Sequence, residues 1–223
     1  MPINRTARMS YPVFFLGQSI NLATLSFIDV LFYQRILKAE ALYHGQLDGL
    51  WGPLTQAAAE QFFELGEALS NELGTFDDRT EKNIRSLQSS TQRFAREFMS
   101  AITDADLDVQ IRIISGTRTY KEQDEIYAQG RTKPGRIVSS RKGGQSYHNF
   151  GIAWDIAAFS KTGKYLIDPK HYQKARDIFP NDELEWGGDW SILDYSHFQL
   201  AGIGRISTLR TDFESGTSTT VIV

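Results

Sequence analysis

No cysteine occurs in this sequence, which excludes a disulfide framework, a thiolate zinc site and a cysteine nucleophile. A reducing cytosol and an oxidising periplasm both suit such a chain, so the compartment stays open. Positive charge is not in excess either. The formal charge of -3 argues against a nucleic-acid binder, although Arg131, Lys133, Arg136, Arg141 and Lys142 make a local basic stretch. Long apolar runs are also missing, and nothing approaches the roughly 18 residues of a membrane span. Arg5 and Arg8 precede a mildly apolar stretch from Tyr11 to Leu25. Pro12, Gln18 and Asn21 interrupt it and no small-x-small cleavage site follows, so a signal peptide is not expected.

What is present, 41% hydrophobic and 23% charged residues, is the composition of an ordinary globular protein able to bury one good core or two modest ones. Ile28, Leu31, Phe32, Ile36, Leu37 and Leu42 recur at helical spacing. A turn punctuated by Gly45, Gly49 and Gly52 follows, and Pro53 suits the first position of a second helix through Ala57, Ala58 and Phe62. The run Asp48-Gly49-Leu50-Trp51-Gly52-Pro53-Leu54-Thr55-Gln56-Ala57-Ala58 resembles the core motif of the peptidoglycan-binding-domain-like family. That resemblance implies a small all-α module with Asp48, Gly49, Trp51 and Thr55 as wall-binding candidates. The plain alternative is a helical packing unit.

Gly74 to Asp78 is polar and turn-prone and marks a domain boundary. From Asp77 to Ile102, the stripe of Ile84, Leu87, Phe94, Phe98 and Ile102 predicts one long amphipathic helix. Val109 to Ile114 alternates as a half-buried strand does, Ser115-Gly116 turns it, and Tyr120 to Gln129 reads as a helix stopped at Gly130. Gly130 to Gly144 is a basic surface loop, either solvated or touching an anionic wall peptide. Gly151 to Phe159 and Tyr195 to Leu200 read as strands and Pro169 to Phe179 as a helix, which makes an α+β domain. The expected division is an N-terminal segment 1–26, a helical module 27–74, the α+β domain 75–202 and a Ser/Thr-rich tail 203–223 without a decisive role.

The chemistry concentrates in Ser146 to Asp155 and Asp194 to His197, two short segments that hold two of the chain's four histidines and two acids. A catalytic zinc site takes three protein ligands and leaves a position for water, and His148, Asp155 and His197 meet that need. Gly151 provides a bend between the first two, and a neighbouring strand supplies the third. Asp194 is the candidate general base, with Glu185 and Asp189 as runners-up. Arg118, where a strand hands over to a helix, suits a developing oxyanion or a substrate carboxylate. Ser115, Gln123, Ser146 and Trp186 complete the expected substrate-contacting set. His44, in the glycine loop, and His171, on a solvent-facing helix, are not assigned to the metal.

Ser146-Tyr147-His148 through Gly151, Ala153 and Asp155 resembles the Ser-x-His-x-x-Gly-x-Ala-x-Asp signature of the zinc D-alanyl-D-alanine peptidase superfamily. Ser115 to Thr119, Tyr127 to Gly135, Trp186 to Trp190 and Asp194 to Phe198 extend the likeness, which is greatest to the L-alanyl-D-glutamate endopeptidase branch found in phage endolysins and wall hydrolases. The resemblance implies a small antiparallel sheet flanked by helices, and one zinc ion on His148, Asp155 and His197. It also implies Asp194 as base, Arg118 near the substrate, and a peptidoglycan stem peptide as substrate, cut between L-Ala and D-Glu. Many D,D-peptidases of the superfamily have Glu where this chain has Asp194. The alternatives are a D,D-carboxypeptidase or endopeptidase, and a degenerate wall-binding scaffold. The site of action expected is the periplasm or wall, reached by lysis with a holin or by a dedicated secretion apparatus, with an immunity protein as a further conceivable partner.

Overall fold

The computed structural model describes residues 13–217. Arg5, Arg8, the start of the apolar N-terminal stretch and the Val221-Ile222-Val223 end lie outside the described residues.

The described chain opens with a hairpin of β1 (Val13–Phe15) and β2 (Gln18–Ile20). Helix α1 (Phe27–Ala39) starts at a Ser26/Asp29 capping box, and α2 (Pro53–Leu73) starts with Pro53 just after Gly52. The loop between them is built around the fully buried Gln34. Its amide nitrogen donates to Asp48 Oδ1 (2.9 Å), Leu50 O (3.0 Å) and Thr55 Oγ1 (3.2 Å), and its carbonyl accepts the Gly49 N–H (2.9 Å).

The single helix expected from Asp77 to Ile102 is two helices, α3 (Asp78–Arg85) and α4 (Ser89–Asp104). The apolar stripe continues across the break, so periodicity alone cannot reveal it. What breaks the helix is competition for its backbone. Gln88 N–H donates to Gly151 O (2.9 Å) and the Gln88 amide to Phe150 O (2.7 Å), while Ser86 Oγ accepts the Thr117 N–H (2.9 Å). The break thereby clamps the loop after β3 and the loop that carries His148.

The remaining elements are β3 (Val109–Ser115), α5 (Tyr120–Ala128), β4 (Ala153–Ser160), β5 (Tyr165–Leu166), α6 (Pro169–Ile178), β6 (Leu184–Trp186), β7 (His197–Leu200) and α7 (Ile206–Ser215). The sheet runs β3-β4-β7-β6, with β5 on the edge of β4, and every pairing is antiparallel. This is the α+β architecture expected, a small antiparallel sheet flanked by helices. Phe98 of α4 packs on Trp154 and Phe198 (ring centroids 6.4 and 5.1 Å), and those two rings stack at 5.6 Å.

The segment expected as a tail holds helix α7. Ile206, Leu209 and Phe213 form an apolar face on α7, and Phe213 meets Phe32 of α1 (5.8 Å) and Phe150 beside the histidine motif (5.2 Å). Its Ser/Thr-rich composition hides three well-spaced apolar residues. One buried cluster therefore runs from α1 through α7 to the sheet.

Arg96 of α4 is fully buried and pairs with Glu81 of α3 (2.9 Å), also donating to Gly74 O (2.9 Å). Arg96→Met is expected to destabilise the fold by up to about 3–5 kcal/mol, the range for breaking a buried pair, since it leaves Glu81 only Arg85 (3.3 Å) and the Phe76 N–H; a denaturant titration at neutral pH measures this. Burial by itself would raise the Glu81 carboxyl, but hydrogen bonds and charge from Arg96, with the Phe76 N–H and Arg85, outweigh it and hold it below the ordinary glutamate value. A depressed folded-state value means that the contribution is present above the ordinary glutamate range and is lost as pH falls through the lowered one. The difference between wild type and Arg96→Met should therefore shrink in acid.

Candidate metal centre

The sheet register assembles the site. A bulge between Ile113 and Ser115 sets Ser115 opposite Asp155, and Asp155 lies opposite His197 on the other side. Directly opposed residues on antiparallel strands stand roughly 4.5–5.5 Å apart at Cβ, so three polar side chains fall in one row across β3, β4 and β7. His148 arrives from a single 3₁₀ turn, Tyr147–Phe150, capped reciprocally by Ser146 and Asn149. Gly151 closes that turn at φ 71°, where a Cβ would stand 3.1 Å from the Gln88 nitrogen. The glycine of the motif is thus required twice, by its backbone conformation and by the close pass of α4.

Three atoms converge. His148 Nε2 is 3.2 Å from Asp155 Oδ1 and 3.3 Å from His197 Nδ1, which is itself 3.2 Å from the same Asp155 oxygen. His148 and His197 are buried, and all three candidate donors lie within 4.8 Å of one another. The opposite nitrogen of each imidazole faces an acceptor: His148 Nδ1 is 2.8 Å from Gly116 O, and His197 Nε2 is 3.0 Å from Gln199 Oε1. Each ring therefore carries a hydrogen on the outer nitrogen and, in its neutral form, turns a lone pair inward, as a metal-ligating histidine does. Two inward lone pairs and one carboxylate oxygen are the donor set of a three-residue metal site, so the residues fit a divalent ion.

The charges of the cluster are strongly coupled and pull its two imidazoles in opposite directions. Burial lowers His148 and favours its neutral form. Burial alone would raise Asp155, but the two imidazoles and Arg118 hold its carboxyl well below the usual range. Burial likewise pushes His197 down, and its hydrogen bond and charge contact with Asp155 reverse this and raise it.

Arg118 makes an ion pair with Asp155 through Nη2, donates from Nε to Ser115 Oγ (2.8 Å) and from Nη1 to Gln123 Oε1 (3.3 Å). Its N–H bonds His148 O (3.0 Å), so the arginine and histidine segments are tied through their backbones. A cavity of about 550 Å³ opens beside Ser115 and Arg118, bounded by the β1–β2 hairpin and α5. Asp194 is exposed at the mouth of the site, its Oδ1 accepting from Ser196 Oγ (2.8 Å). A Cβ on Gly187 would meet the Asp194 carbonyl at 2.4 Å, so only glycine lets this turn fold so tightly. The Trp190 ring lies 5.2 Å from that of His197, and Ile192 and Leu193, two and three residues on, are exposed.

Other expected site residues fall elsewhere. Gln123 is fully buried and also donates to Arg141 O (2.8 Å) and Ser139 Oγ (3.1 Å), so it braces Arg118 and the basic loop. Trp186 is buried and donates to Tyr195 O (2.9 Å), which makes it a support of the Asp194 turn. Ser146 caps the histidine turn. In the helical module Gly49 and Thr55 are buried and, with Asp48, bind Gln34, while Trp51 donates to Gln56 Oε1 (2.9 Å). These four residues hold their own loop together. Asp189 pairs with Arg176 (3.4 Å), and Glu185 accepts from Gln199 (3.0 Å). Gln199 and the Gly116 carbonyl were not among the expected site residues, and Trp190 entered only within a matched segment. Strand alternation marks Gln199, two residues after His197, but a backbone carbonyl leaves no residue signal.

Two imidazoles and one carboxylate converging in an antiparallel α+β domain, with an exposed acid nearby, are a donor set that fits a metal-dependent hydrolase. Residues 139–200 match the family described as D-alanyl-D-alanine carboxypeptidase. The chain is also 39% identical over 106 residues to the peptidoglycan L-alanyl-D-glutamate endopeptidase CwlK of Bacillus subtilis. That match covers 43% of this chain and 64% of the relative, so the chain spans just under two thirds of that relative's length. The segment that carries the cluster is thus similar to this peptidase family.

Proposed function

We propose that the protein is a zinc-dependent peptidoglycan hydrolase that cleaves the stem peptide between L-Ala and D-Glu. The observation that carries the reading is the convergence of His148 Nε2, Asp155 Oδ1 and His197 Nδ1 next to Asp194. The endopeptidase named in the comparison supports the bond assignment. His148, Asp155 and His197 would hold the ion, which when bound supplies Lewis-acid polarisation and a more acidic water.

The chain's own groups do the rest. Asp194 takes a proton from the attacking water and delivers it to the leaving amine, a role that its exposure at the cleft mouth permits. Arg118, fixed by Ser115, Gln123 and Asp155, presents positive charge toward a substrate carboxylate or the developing oxyanion. The exposed Ile192 and Leu193, just before Asp194 in the chain, offer apolar surface. Wall contact by residues 27–74 belongs to the same proposal and rests on the resemblance of their loop. Action on the wall requires export or lysis, and among the described residues no helix is long and apolar enough to cross a membrane.

Digestion of purified sacculi with and without a chelator tests the reading. Fragments with new L-Ala carboxyl and D-Glu amino ends should form, vanish with chelator and return with added zinc. Free D-Ala would instead support D,D-carboxypeptidase activity, the reading favoured by the description of the matched family. Intact sacculi under every condition would leave only the binding scaffold.

A further inference from the structure

Beyond His197, on the side away from the cluster, two more side chains stand in line. Gln199 follows His197 by two residues on β7 and so shares its face of the sheet. The register sets Glu185 of β6 directly opposite Gln199. Gln199 Nε2 donates to Glu185 Oε2 at 3.0 Å, and Gln199 Oε1 lies 3.0 Å from His197 Nε2. Gln199 and His197 are 4% and 8% exposed, which leaves water little room to replace either contact.

The chemistry of this line has one consistent arrangement. An ionised carboxylate only accepts, and an amide has one donor end and one acceptor end. Glu185 therefore captures the NH₂ end of Gln199 and turns its carbonyl toward His197. A carbonyl at 3.0 Å requires hydrogen on His197 Nε2, so in the neutral ring that a metal needs the lone pair is on Nδ1, the nitrogen that faces His148 and Asp155. A flipped amide would set NH₂ against Nε2 and favour hydrogen on Nδ1, closing the ligand position.

We infer that Glu185 and Gln199 are positioning residues, a carboxylate–amide relay that holds His197 in the tautomer able to ligate a metal. The inference rests on the metal-centre reading above. His148 is held in the same sense by the Gly116 carbonyl, a backbone group that no side-chain change removes. The relay on His197 is thus the arm of the site that mutation can address.

The test uses the full chain. Zinc affinity is measured by competition with a chromophoric chelator, and the His197 tautomer by ¹⁵N imidazole NMR of the metal-free protein. Gln199→Met should weaken zinc by about 10- to 100-fold, the usual effect of losing a partner behind a ligand, and shift His197 toward Nδ1–H. Glu185→Gln should cost less, because the amide keeps its place but loses its fixed orientation. Adding Glu185→Gln to Gln199→Met should change nothing further, since Glu185 acts through Gln199. Combining Glu185→Gln with Gln199→Glu should restore affinity, because a carboxylate at position 199 accepts from both sides. Unchanged affinity and tautomer in a folded Gln199→Met variant would overturn the inference. If that variant does not fold, the exchanged pair decides, and its failure to recover zinc would count against the relay. A wild-type chain that binds no zinc would overturn the metal centre itself, a result distinct from wild type and variants binding zinc alike.

Discussion

Replacing His148 with alanine is expected to yield a folded protein that neither retains zinc nor cuts peptidoglycan. The buried imidazole is one of three converging donors, and its loss leaves two, too few for the three-ligand site that a catalytic ion uses. Hydrolysis should fall by on the order of 10³-fold or more, because the ion would carry much of a rate enhancement that in enzymes is typically 10⁶-fold or greater. The secondary elements around it are held independently by Gln88 and Arg96, so folding should survive. Metal analysis, thermal unfolding and sacculus digestion on one preparation separate these outcomes. A variant that keeps metal-dependent cleavage would remove His148 from the centre.

Asp194→Asn should give the opposite pattern. Its carboxylate is exposed, bonds Ser196 and lies outside the converging triplet, so zinc content should match wild type. Turnover should nevertheless fall by about 10²- to 10⁴-fold, the usual contribution of a positioned general base. Together the two variants dissociate binding from proton transfer. Full activity in Asp194→Asn would move the base elsewhere, and a comparable loss in Asp189→Asn would nominate that residue. The structure argues against such a move, since Asp189 pairs with Arg176 at the surface.

Much of the fold was legible because its elements are short, strongly patterned and closed by glycine or proline. The strand read over Val109–Ile114 is β3, and the helix read from Tyr120 ends at Ala128 with Gly130 at φ 70°. The misreadings share a cause, which is that long-range contacts overrode local pattern. An unbroken apolar stripe concealed the break at Ser86–Gln88, imposed by hydrogen bonds to Gly151, Phe150 and Thr117. Polar composition concealed α7, whose Phe213 acquires meaning only against Phe32 and Phe150.

The sequence by itself determined which atoms are available for chemistry. With no thiol in the chain, imidazole and carboxylate remain the metal donors, and the spacing of His148, Gly151, Asp155, Asp194 and His197 singles out five residues. Only the tertiary structure decided how they are aimed. The register that sets Asp155 opposite His197 and Gln199 opposite Glu185, and the Gly116 carbonyl behind His148, are contacts between segments distant in the chain. Ligand identity is a property of residue type, which a sequence states outright. Ligand orientation is a property of what stands behind each side chain, and that exists only once the strands have paired.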